Sequence, residues 1–123
     1  MSEDARKVLL LDDDIISMMV TAGVLSNHGY HVVQSTSPHG CLARLDYEGP
    51  DLLLVDVNMP RLAVDDLFRN IRASDELKDI VVVLFSSQPA EDLDALCVKK
   101  DLHGYFCKSM DVTRLPEYID YFF

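Results

Sequence analysis

Three short, uninterrupted apolar runs punctuate the chain. Val8-Leu9-Leu10-Leu11 stops at three aspartates, Leu52-Leu53-Leu54-Val55 stops at Asp56, and Ile80-Val81-Val82-Val83-Leu84-Phe85 stops at Ser86-Ser87. Leucine and β-branched runs of this length suit strands buried on both faces of a parallel sheet. His31-Val32-Val33-Gln34 and Gly104-Tyr105-Phe106-Cys107 are weaker strand candidates. Between these runs the apolar spacing becomes helical. Ile15, Met18, Met19, Ala22 and Leu25 form a stripe that predicts a helix over 15–28, stopped by Gly29. Ser37-Pro38, a cap residue followed by a first-turn proline, opens a second helix running to about residue 47. Leu67, Phe68 and Ile71 mark a third over 65–73, and Leu93, Leu96 and Cys97 a fourth over 89–100. A fifth over 113–121 holds Pro116 in its first turn, where proline is tolerated. Five strands alternating with five helices make a βα repeat: a doubly wound α/β fold with right-handed crossovers and a five-stranded parallel sheet.

The length, 123 residues, fits one domain over 1–123, standing alone or as the N-terminal part of a longer protein. A hydrophobic share of 49% supplies a packed core and excludes disorder as the main state. No apolar run approaches the ~20 residues that cross a bilayer, and the first residues carry no apolar signal core. Eleven basic residues against 21 acidic give a formal charge of −10, which repels phosphate backbones and anionic lipid. Direct nucleic-acid binding by this domain and a membrane partner are therefore not expected. Cys41, Cys97 and Cys107 are odd in number and widely spaced, with no C-x-x-C. They predict neither a disulfide framework nor a zinc ribbon, but reduced, buried thiols in a cytoplasmic protein.

In an open parallel sheet, ligands bind beyond the carboxyl ends of the strands. The predicted strands deliver Asp12-Asp13-Asp14, Asp56, Ser86-Ser87 and Lys108 to that rim. Taken singly, each has a plain explanation: Asp14 caps the first helix, Ser86-Ser87 make a turn, and Lys108 is a solvated charge. Together they form a set of carboxylates that cannot all stay ionised cheaply without a counter-ion. An oxygen-only donor set selects a hard cation, Mg²⁺ or Mn²⁺ in its place. Such a set leaves Asp56 as a carboxylate nucleophile able to form an aspartyl phosphate. Lys108 would neutralise one phosphoryl oxygen and Ser86 would donate a hydrogen bond to another. The reading requires Asp56 to lie near Asp13 and Lys108 and to keep an opening to solvent.

Asp12-Asp13, the segment Asp56-Val57-Asn58-Met59-Pro60, Ser86, and Tyr105-Phe106-Cys107-Lys108 follow one another in an order that resembles the response-regulator receiver domains of two-component signalling. The resemblance covers nearly the whole chain. It implies a flavodoxin-like, CheY-like sheet of order 2-1-3-4-5, the order documented for CheY. It implies Asp56 as phospho-acceptor, with Asp12, Asp13, Asp56 and the backbone carbonyl of Asn58 around the metal. It also implies Lys108 as the phosphate-contacting lysine and Ser86 with Tyr105 as a switch pair. A histidine kinase or phosphotransfer protein would donate the phosphoryl group. An output protein or domain would read the face formed by helix 4, strand 5 and helix 5. The chain would not be a free-standing enzyme, beyond its own phosphorylation and dephosphorylation.

Two departures from the family pattern stand out. Ala63-Val64 replace a common Asp-Gly pair, which predicts a different loop into helix 3. Ser109 replaces a proline after the lysine. A cis bond without proline costs about 2.5–4 kcal/mol, which favours a trans bond and a displaced lysine. These departures leave room for a degenerate receiver that acts by contact alone. Leu11-Asp12-Asp13-Asp14 also resembles the Asp-x-Asp signature of haloacid-dehalogenase-type phosphatases, but no substrate cap accompanies it. Flavin binding lacks a phosphate loop after strand 1. Core packing of the last helix accounts for Ile119 and Phe122, and the remaining C-terminal aromatics Tyr118, Tyr121 and Phe123 fit either a partner patch or the cut edge of a longer chain. His28-x-x-His31 reads as a loop coincidence, and Cys107 as a structural thiol.

Overall fold

The structure, a computed structural model, describes residues 5–59 and 61–123. The strands are β1 (Lys7–Leu11), β2 (His31–Ser35), β3 (Leu52–Val55), β4 (Val81–Ser86) and β5 (Gly104–Cys107). The helices are α1 (Ile15–Asn27), α2 (Cys41–Glu48), α3 (Arg61–Ala73), α4 (Ala90–Lys100) and α5 (Leu115–Asp120), the last preceded by a 3₁₀ turn, Val112–Arg114. The five strands pair in parallel in the order β2-β1-β3-β4-β5, as the sequence implied.

Why the central runs read so clearly follows from their burial. Val8 to Leu11 and every residue of β3 are fully buried, because helices cover both faces of the sheet. Leu9, Leu11, Leu53, Val55, Val82 and Leu84 pack under α2, α3 and α4, against Leu45, Leu67, Phe68, Ile71 and Leu93. Val8, Leu10, Leu52, Leu54, Val83 and Phe85 face the other way, onto Met18, Ala22 and Leu25 of α1 and Leu115 and Ile119 of α5. Each fully buried leucine contributes about 1.5–3 kcal/mol of transfer free energy.

Three expectations need correction. The α1 stripe is only partly the buried face: Met18, Thr21, Ala22 and Leu25 point inward, but Ile15 and Met19 are exposed together with Ile16 and Val20. A helix that is apolar almost all round does not announce its inner face by periodicity. The second helix starts at Cys41 rather than Ser37. The Ser37 hydroxyl accepts the His39 N–H (3.2 Å) and Pro38 carbonyl accepts the Cys41 N–H (3.2 Å), so a turn precedes Gly40, whose φ is +78°. The third helix starts at Arg61 rather than residue 65. Ala63 and Val64 are thus helical instead of looped, and Val64 fills the core beside Leu67 and Phe68. Pro60, part of the quoted motif, lies outside the described residues, as do residues 1–4.

Candidate functional site

The sheet register builds the site. Leu11 pairs with Val55, and the Asp56 N–H continues that ladder onto the Leu11 carbonyl at 2.9 Å. Ser86 pairs with Cys107, and the Lys108 N–H donates to the Ser86 carbonyl at 2.8 Å. Asp12 likewise donates its N–H to Ser35 on β2 at 3.1 Å. The strand ends therefore bring Asp12, Asp56, Ser86 and Lys108 to one rim.

Each strand end then turns in the same way. Asp12 Oδ1 accepts the Asp14 N–H (2.9 Å), Asp56 Oδ1 accepts the Asn58 N–H (2.9 Å), and Ser86 Oγ accepts the Gln88 N–H (3.3 Å). These side chain-to-backbone bonds two residues on are Asx and Ser turns, and they fix the side chains before any partner arrives. Asp14 in turn caps α1, its Oδ1 accepting the N–H groups of Ile16 and Ser17.

Lys108 Nζ donates to Asp12 Oδ2 and to Asp56 Oδ2, each at 2.9 Å, and lies 5.2 Å from the centre of the Phe85 ring. The Lys108–Ser109 bond is trans, as expected, yet the lysine is not displaced: the short turn after β5 still carries its ammonium to both acids. Burial pushes the Asp56 carboxyl above its ordinary range and the Asp12 charge adds to this, while the Asn58 N–H and Lys108 pull the other way. Burial disfavours the charged lysine, but its bonds to Asp12 and Asp56 outweigh that and hold Lys108 above its ordinary range. Oxygens of Asp12, Asp13 and Asp56 lie within 4.8 Å of one another, Asp13 exposed and the other two buried. Three carboxylates at that spacing, with no nitrogen or sulfur donor among them, fit a hard divalent cation. The expected opening to solvent is narrow: Asp56 is 2% exposed, beneath Lys108 and Asn58.

Tyr105 is half-buried on the face of the sheet under α4, and its N–H donates to the Tyr118 hydroxyl at 3.0 Å. The family resemblance implied only a backbone role for Asn58. Its carboxamide in fact spans the rim: Nδ2 donates to Ser87 Oγ (3.0 Å), and Oδ1 accepts from Ser86 Oγ (3.3 Å) and Gln88 Nε2 (3.2 Å). The Asx turn alone did not signal this, because the same turn at Asp12 sends Asp14 onto the start of α1 instead of across the rim.

A doubly wound parallel sheet with acids, a hydroxyl and a lysine gathered at its carboxyl edge defines a CheY-like signalling fold. Residues 8–120 match the response regulator receiver domain, and the chain belongs to that family. It is 26% identical over 118 residues to the chemotaxis protein CheY-3 of Vibrio cholerae serotype O1, covering 95% of this chain and 91% of the relative. It is 28% identical over 111 residues to the CAI-1 autoinducer sensor kinase/phosphatase CqsS of the same species, but 89% of this chain spans only 16% of that protein. A putative response regulator from Chloroflexus aurantiacus J-10-fl superposes with a TM-score of 0.86 at 20% identity, covering 96% of this chain and 97% of the other. The chain is thus a receiver domain of two-component signalling. No helix among the described residues is long and apolar enough to cross a membrane.

Proposed function

We propose that residues 1–123 act as a phosphate-receiver unit in the cytoplasm, accepting a phosphoryl group on Asp56 from a histidine kinase or phosphotransfer protein. The observation that carries this reading is Lys108 Nζ held 2.9 Å from both Asp12 and Asp56 beside Asp13. Asp12, Asp13, Asp56 and the Asn58 carbonyl would hold Mg²⁺ or Mn²⁺, which when bound supplies positive charge to the phosphoryl oxygens. Asp56 supplies the nucleophile. An electron pair on its carboxylate oxygen forms the O–P bond as the P–N bond of a phosphohistidine breaks, and the imidazole leaves with the P–N bonding pair and takes a proton from solvent. Lys108 then turns its ammonium to the transferred group, and the buried Ser86 hydroxyl donates to a second oxygen.

The surface of the fold supports both sides of a relay. Exposed Ile15, Ile16, Met19 and Val20 follow the acid cluster and offer a protein donor an apolar face. On the far side of the sheet edge, a groove of about 520 Å³ runs between α4, β5 and α5, lined by Val98, Gly104, Tyr105 and Tyr118 among others. We assign the output contact to that face, with Tyr105 turning inward when Ser86 moves toward the phosphoryl group. Ser86 and Tyr105 share a sheet face two register positions apart, since Leu84 pairs with Tyr105 and Ser86 with Cys107.

Incubation with acetyl phosphate and Mg²⁺ tests the acceptor. The expected result is a mass gain of a single phosphoryl group in the native chain and none in Asp56→Asn. Equal incorporation by that variant would remove Asp56 from its role, and no incorporation by the native chain would leave the domain a contact-only module.

A further inference from the structure

We propose that the Asn58 carboxamide is a latch that holds the β4–α4 junction in its resting arrangement, so that a tetrahedral oxyanion on Asp56 must take the Ser86 hydroxyl away from Asn58. The inference deepens the receiver reading and rests on it for its second half.

One side chain ties three consecutive residues. Asn58 Oδ1 receives the Ser86 hydroxyl at 3.3 Å and the Gln88 amide at 3.2 Å, while Nδ2 donates to Ser87 at 3.0 Å. The anchor for this bridge is the acceptor itself: the Asn58 N–H is fixed on Asp56 Oδ1 at 2.9 Å, so Asn58 moves with Asp56. Ser86 has one proton to give. While it points at Asn58 it cannot point at an oxygen above Asp56, so the two bonds compete. Release of Asn58 would therefore free the hydroxyl and loosen the start of α4 together. The Asn58 and Ser87 bonds lie at exposed positions, so their disruption leaves the core intact.

Two variants test this, Asn58→Ala, which deletes the bridge, and Ser87→Ala, which removes one of its ends without touching the acid cluster. Amide hydrogen exchange at Ser86, Ser87 and Gln88, in metal-free protein with no phosphoryl donor, reads the latch directly. Exchange should accelerate several-fold in Asn58→Ala and less in Ser87→Ala. Titration with beryllofluoride and Mg²⁺, followed by amide NMR, reads the competition. Binding should tighten roughly three- to tenfold in Asn58→Ala, the factor corresponding to one net hydrogen bond. Unchanged exchange would overturn the latch. Faster exchange with unchanged or weaker beryllofluoride binding would overturn the competition. If the native chain bound no beryllofluoride at all, the receiver reading would fall, while the exchange rates would still decide whether Asn58 holds the junction.

Discussion

The Lys108 ammonium sits at 2.9 Å from a carboxylate oxygen of Asp56, although the two residues are 52 positions apart in the chain. Its second bond, to Asp12, closes a span of 96 positions. Lys108 is thus the internal counter-ion of an acid cluster that the sheet register forces together. A buried charge that loses its partner costs more than the pair was worth, because the desolvation remains.

Lys108→Ala should therefore lower the unfolding free energy by about 3–5 kcal/mol at neutral pH. Millimolar Mg²⁺ should then recover more stability in the variant than it adds to the native chain, since the cation meets acids with no competing ammonium. Urea titrations with and without Mg²⁺ check both statements. A variant as stable as the native chain would mean that the ion pair is not formed in solution.

Asp56→Asn has the opposite sign. Its carboxyl is held above the ordinary range by burial, so the native state binds the proton more tightly than the unfolded chain does. Stability contributed by this group is highest where both states are protonated. It falls as pH rises from the ordinary carboxyl value through the raised one, and the full penalty persists above that window. The asparagine variant, which carries no charge to desolvate and leaves Lys108 paired with Asp12, should be more stable near neutrality in metal-free buffer. That advantage should shrink as pH drops into the acid range. An advantage that grew on acidification would contradict the direction of the shift.

Gly104 is required by a close approach rather than by its backbone angle. A Cβ there would meet the Tyr118 hydroxyl and come within 2.9 Å of Phe122 Cζ. Since the same hydroxyl accepts the Tyr105 N–H on the edge strand, Gly104→Ala should cost about 1–3 kcal/mol. In a Tyr118→Phe background the obstruction is reduced, and the cost of the alanine should fall by more than about 0.5 kcal/mol. Thermal unfolding of the four proteins in the cycle measures the coupling, and strict additivity would show that the hydroxyl is not what excludes the methyl group.

What could be read in advance divides along a physical line. β1, β3 and β4 were legible because they are buried on both faces, which demands continuous apolar runs that nothing else in the chain imitates. The rim was legible because a parallel sheet places every strand's next residue at one edge, so Asp12, Asp56, Ser86 and Lys108 needed only the topology. Helix starts were not, because Ser37-Pro38 satisfies the rules for a cap and equally those for the turn it forms. Nor was the inner face of α1, where Ile15 and Met19 match the apolar spacing as well as the buried Met18 does. The Asn58 bridge depends on how the turns after β3 and β4 approach each other, and no periodicity encodes that distance.

At the opposite end of the sheet, Asp120 fastens α5 to the turn after α1. Its Oδ1 accepts the Tyr30 hydroxyl and its Oδ2 lies 2.9 Å from His28 Nε2. The Tyr30 bond, with His28 beside it, holds the Asp120 carboxyl below its ordinary range, whereas burial and then Asp120 hold the Tyr30 hydroxyl well above the usual tyrosine range. A lowered acid contributes stability that is present above its ordinary value and lost as pH falls through the lowered one. A raised phenol contributes stability that is present below its ordinary value and lost as pH climbs through the raised one. Between these limits the clasp is intact, and Tyr30→Phe should cost about 1–2 kcal/mol, discounted because Asp120 is half-exposed. The cost should be nearly constant from about pH 5 to about pH 8 and should diminish in strongly alkaline buffer. Spectrophotometric titration gives the independent check: the variant should lose a step from the most alkaline part of the tyrosinate absorbance curve. Loss of an early step instead would show that Tyr30 is not bonded to Asp120 in solution.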